Sequence, residues 1–233
     1  MRYLIPCLIV ATMISCGKKS DDDDAAETSK LTIKGGASMS LLGGDTSSAK
    51  MKVYEFLVAK EATCADPISV FEEKDGKVVD MLEGPTIGSG DLEQGTYDCV
   101  IMVMSDTITF TPEATSGVCT AGEEVELDVF RPQGETYKPT AVLPDGTKVD
   151  GKVEEQKIAV YISSLSVSEG GEEDNNAFEA PKASKKKNGI KLAAPLEITE
   201  DTAGTMVMDT SGRVESNHGN CDMQPPQFGF KNK

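Results

Sequence analysis

Apolar and polar residues alternate with a period of two through much of this chain, the signature of strands that bury one face. In residues 51–58 the period sets Tyr54, Phe56 and Val58 on one face and Met51, Val53 and Leu57 on the other. Two apolar runs, 68–71 and 78–81, flank Asp75-Gly76, a dipeptide that predicts a tight hairpin between them. Residues 99–104 (Cys-Val-Ile-Met-Val-Met) are apolar on both faces, which predicts a central strand covered on both sides. Alternation returns at 107–110, at 125–129 and at Ile158, Val160 and Ile162. Pro144-Asp145-Gly146 predicts a turn that sets 140–143 against 147–153. Strand patterning resumes at 195–199 and 205–208, and Phe228 and Phe230 are placed to plug a hydrophobic edge. No stretch keeps apolar residues at helical spacing for three turns. The expected fold class is therefore all-β, a mostly antiparallel β-sandwich with long loops over residues 49–233.

The first part of the chain follows a different pattern. Arg2 precedes an apolar run over 4–14, too short for the roughly 20 residues that a membrane helix needs. A basic start, a short apolar stretch and small residues after it are the layout of a secretory signal, here residues 1–15. Residues 16–48 read as a flexible tether, polar to Lys30, with a possible first strand at Leu31-Thr32-Ile33 and a Gly/Ser-rich stretch over 35–48. The run Asp21 to Asp24 reads as a solvated spacer.

Met13-Ile14-Ser15-Cys16-Gly17 resembles the lipobox of bacterial lipoproteins, with Met13 where leucine is usual. The resemblance implies cleavage before Cys16, which becomes the lipid-bearing first residue and attaches the protein to the membrane. Gly17, in place of aspartate, implies the outer membrane. Leu92-Glu93-Gln94-Gly95-Thr96-Tyr97 resembles the L-x-x-G-x-Y segment of prealbumin-like β-sandwich modules in exported bacterial proteins, a likeness that speaks to architecture only.

Charge and composition narrow the partners. The chain has 233 residues and a formal charge of -16, which opposes binding to nucleic acid or to anionic surfaces. Aromatic residues are 5% and Trp is absent, so the flat stacking faces that sugars and bases use are scarce. With Cys7 in the signal and Cys16 lipidated, Cys64, Cys99, Cys119 and Cys221 remain for an oxidising compartment. Four cysteines allow three pairings; strand placement favours Cys64 with Cys99, and Cys119 with Cys221. No C-x-x-C spacing points to a thiolate metal site.

Candidate chemistry is sparse. His218 is the sole histidine, in a Gly/Asn-rich segment, and any histidine-based nucleophile activation has to use it. There is no G-x-S-x-G, no P-loop and no G-x-G-x-x-G, and Ser47-Ser48-Ala49-Lys50 matches S-x-x-K without a following K-T-G. The expectation is a non-catalytic, lipid-anchored envelope protein without a cofactor, binding or structural in role, with an envelope protein as a possible partner. The alternative is a soft-metal site for copper from Met206, Met208, His218 and Met223, since thioether and imidazole suit that ion. The polar stretch 168–188 is expected to be a mobile surface excursion, with a docking loop as its sharper reading.

Overall fold

The computed structural model describes residues 28–37, 45–83, 86–132, 138–166, 176–182, 188–199 and 204–232. The secretory signal, Cys16 and most of the polar stretch 168–188 lie outside them. Among the described residues sixteen strands run in order. The first six are β1 (Thr28–Ala37), β2 (Thr46–Ala59), β3 (Ile68–Asp80), β4 (Thr86–Glu93), β5 (Gly95–Tyr97) and β6 (Cys99–Pro112). The middle of the chain gives β7 (Val125–Asp128), β8 (Thr140–Val142), β9 (Lys148–Asp150), β10 (Lys157–Ser163) and β11 (Ile190–Lys191). The last five are β12 (Leu196–Ile198), β13 (Gly204–Asp209), β14 (Val214–Asn217), β15 (Asn220–Met223) and β16 (Gln227–Asn232).

The larger sheet has the order β11-β10-β6-β2-β3, and β7 continues beside the second half of β6. A second sheet has the order β16-β13-β1-β4. Pairing is antiparallel except for β1 with β13 and β10 with β11. The chain is thus an all-β, mostly antiparallel sandwich. Its shared core takes Phe56, Val58, Met102 and Val160 from the larger sheet and Met206, Met208, Phe228 and Phe230 from the second. The other face of the larger sheet is also covered, with Leu57, Ile101, Val103, Ala159 and Tyr161 buried together. Burial on both faces is why β6 reads as an unbroken apolar run.

Three sequence expectations change. Met51 and Val53 share the main core with Phe56 and Val58, whereas Tyr54 and Leu57 pack on the opposite face. The register of β2 shifts between Val53 and Glu55, and that bulge swaps the alternation partway along the strand. Asp75-Gly76 makes no hairpin: β3 continues through it, and both halves pair with β2. Within the polar stretch 168–188, residues 176–178 are packed rather than mobile. Tyr161 N–H donates to Ala177 O at 3.0 Å, Val142 N–H donates to Phe178 O at 3.0 Å, and Phe178 meets Phe130 edge-on at 4.9 Å.

Other expectations hold. β8 and β9 pair across the turn at Asp145-Gly146, where Thr147 N–H donates to Asp145 Oδ1 at 2.8 Å. Leu31-Thr32-Ile33 falls inside β1, within the stretch read as tether. Phe228 and Phe230 do more than plug an edge, since they lie in β16 opposite Met208 and Met206.

Candidate functional site

Between the larger sheet and the C-terminal stretch of β14, β15 and Phe228 lies a cavity of about 660 Å³. Its floor comes from the alternation of the larger sheet. Met102 and Met104 stand two apart on β6, Met51 reaches in from β2, and Val160 and Ile190 extend the floor along β10 and β11. These floor residues are all buried and none carries a side-chain hydrogen-bonding group beyond a thioether. One wall is β7 and the residues after it, with Leu127, Asp128, Val129 and Arg131. Ala177 and Phe178 supply a further part of the lining, and Met223 and Phe228 close the space from the C-terminal side.

The rim is polar, and most of it belongs to one hairpin. β14 and β15 are joined by His218-Gly219, with φ values of 49° and 84°. Positive φ at both central residues is what a two-residue hairpin turn of the I′ kind requires. That turn places Asn217, His218, Asn220 and Asp222 at the mouth. The hairpin is held at its base, where the Arg213 and Val214 N–H groups donate to Asp45 Oδ2 at 2.6 and 3.2 Å. A disulfide from Cys119 to Cys221 on β15 ties it to the loop after β6, with Cα atoms 4.9 Å apart. Gly117 permits this approach: with φ of 61°, an added Cβ there would sit 2.5 Å from Ser216 Cβ. The second disulfide, Cys64 to Cys99, is remote from the pocket and fastens the start of β6 to the loop after β2. Both are the pairs that strand placement favours.

The most unusual electrostatic feature lies behind the β7 wall. Asp106 sits at a bulge in β6, where the register shifts between Met51 and Val53 of β2. It is fully buried: Oδ1 accepts Gln156 N–H at 2.9 Å, and Oδ2 has no hydrogen-bond partner. Its backbone holds the wall, since Val129 N–H donates to Asp106 O at 2.9 Å. Burial pushes the Asp106 carboxyl above the ordinary carboxylate range; the carboxylates of Asp128 and Glu155 add to the rise and the Gln156 N–H opposes it. Tyr161, on the opposite face of the sheet, donates its hydroxyl to Val142 O at 2.7 Å, and burial raises its phenol to about 12.

The four residues of the copper reading are split. Met206 and Met208 are fully buried opposite Phe230 and Phe228 and do not line the cavity, while His218 and Met223 do. Met51, Met102, Met104, Asp128 and Arg131 were not singled out as site residues by the sequence. The available signal was Met102 and Met104 two apart on a strand, which also describes ordinary core. Among the described residues no three His, Cys, Asp or Glu side chains are grouped to hold a metal ion. No family model, curated protein or solved structure matches the chain. Fold and site together define a disulfide-stapled all-β sandwich with a pocket between its larger sheet and the β14–β15 hairpin.

Proposed function

We propose that this chain is a non-catalytic, lipid-anchored protein of the bacterial cell envelope that binds a small apolar ligand between its larger sheet and its β14–β15 hairpin. The observation that carries the reading is the cavity itself: about 660 Å³, apolar on its floor, with its charged residues on the β7 wall and the β14–β15 hairpin. Ligand sites for small molecules have this size and this division of lining. Two disulfides agree with an exported protein, and the lipobox-like residues before Cys16 supply the attachment. The test is to recover the protein from envelope membranes, read the mass of its N-terminal peptide and extract it with organic solvent. The expected result is an acylated Cys16 and a small apolar compound in stoichiometric amount. An unmodified Cys16 thiol would overturn the anchor, and an empty extract would overturn the ligand.

A second reading, a soft-metal site, draws on the thioethers of Met51, Met102, Met104 and Met223 lining the same cavity as His218. It predicts that Cu(I) raises the melting temperature and that His218→Ala with Met223→Leu removes the rise. An unshifted melting temperature in the unsubstituted protein would dispose of it.

A further inference from the structure

We infer that the pocket takes a single-tailed amphiphile with a basic head group, an assignment that rests on the apolar-ligand reading above. The floor decides the tail. Met51, Met102, Met104, Val160 and Ile190 offer no side-chain donor, and the backbone of β6 and β10 beneath them is engaged in the sheet. A sugar, nucleotide or amino acid lying there would leave its polar groups unpaired, at a cost of about 1–3 kcal/mol for each. Thioether side chains are unbranched and rotate easily, so they conform to a flexible alkyl chain. The volume lies in the range of pockets that hold one small ligand, here such a chain with its head.

The mouth decides the head. Its charged residues are Asp128 and Asp222 against Arg131, with His218 counted as neutral. Asp128 and Asp222 are partly exposed, and Asp128 keeps one oxygen beyond the Oδ1 that accepts the Phe130 N–H at 2.9 Å. Two carboxylates against one guanidinium leave the rim net negative, on a chain whose formal charge is already -16. An anionic head, such as that of a free fatty acid, meets repulsion from both, and a cationic amine meets attraction.

Calorimetric titration of the purified full-length protein with three probes of equal tail length, each below its micelle concentration, tests this. Dodecylamine carries the cationic head, monododecanoylglycerol the neutral one and dodecanoate the anionic one. The expected order of affinity is amine, then glyceride, then acid, with about three- to tenfold between the extremes at low salt and less at high salt. Asp222→Asn narrows that spread by about two- to fivefold. Dodecanoate binding as tightly as dodecylamine, or a spread unchanged by Asp222→Asn, overturns the assignment. Saturable binding of the neutral fluorophore N-phenyl-1-naphthylamine separates the two levels. If it binds and the amphiphile order is absent, the head-group assignment fails and the pocket stands; if neither it nor any amphiphile binds, both fail.

Discussion

Asp106 shows what a residue can do that its neighbours in sequence do not announce. Ser105-Asp106-Thr107 interrupts an apolar run and reads as the gap between two strands, yet the backbone continues as one strand with the carboxyl turned inward. Whether a polar residue marks a turn or is buried depends on strands that arrive from elsewhere in the chain, here β7 and the segment before β10. An ionised Asp106 with one unpartnered oxygen opposes folding. Its folded pKa lies above its unfolded value, so stability from this group is highest below the unfolded pKa. That stability is lost as pH rises through the folded one. Asp106→Asn keeps the acceptor for Gln156 N–H and removes the charge. In urea unfolding the variant is expected to be more stable than the parent at neutral pH by about 1–3 kcal/mol, the advantage shrinking toward pH 4. A variant less stable than the parent at neutral pH would show that the carboxylate is satisfied in solution.

At the scale of elements, two Asp-Gly pairs make the sharpest comparison. Asp145-Gly146 forms the turn that its sequence predicts, because the flanking segments find each other across it. Asp75-Gly76 has the same local chemistry and no reversal follows, because the residues on both sides pair with one long partner, β2. Local propensity specifies that φ becomes positive; the partner decides whether the chain turns back or only bulges. The two glycines therefore differ in surroundings. A Cβ at Gly76 would lie 2.9 Å from Lys52 Cγ and Tyr54 Cε1, whereas one at Gly146 meets nothing within 4 Å. Gly146→Ala is expected to cost about 1 kcal/mol from its φ of 85° alone, and Gly76→Ala clearly more, measured by thermal or urea unfolding. Equal costs would mean that the bulge relaxes freely. The β14–β15 hairpin was legible only in part: Gly219 supplies the second positive φ, but a histidine in the first is a weak cue.

The molecule as a whole joins an export pattern to a sandwich in which β15 at the pocket rim is covalently tethered. Class, most strands of the larger sheet and the doubly covered β6 were readable from periodicity, because period-two burial is local information, whereas β4, with Gly88-Ser89-Gly90 inside it, was not. The pocket was not, because its lining comes from eight strands, many far apart in sequence, and a methionine there looks the same as one in filled core. Met206 and Met208 are the counterexample, with identical spacing and a place inside the second sheet. Removing the Cys119–Cys221 bridge by changing both residues to serine is expected to lower stability by on the order of 4 kcal/mol, since it closes a separation of 102 residues. It should also loosen β15 and weaken ligand binding, which a titration alongside the unfolding curve would read. Loss of stability with affinity unchanged would detach the hairpin from the site.

The pocket between the larger sheet and the β14–β15 hairpin is tested most directly by titrating the purified protein with N-phenyl-1-naphthylamine, beside Ala177→Trp, a substitution on the half-buried wall that fills the cavity. The expected result is a saturable one-site rise in emission for the parent and a flat response for the variant, with matching far-ultraviolet circular dichroism. A non-saturating rise in the parent, or the same binding curve for both proteins, would contradict it.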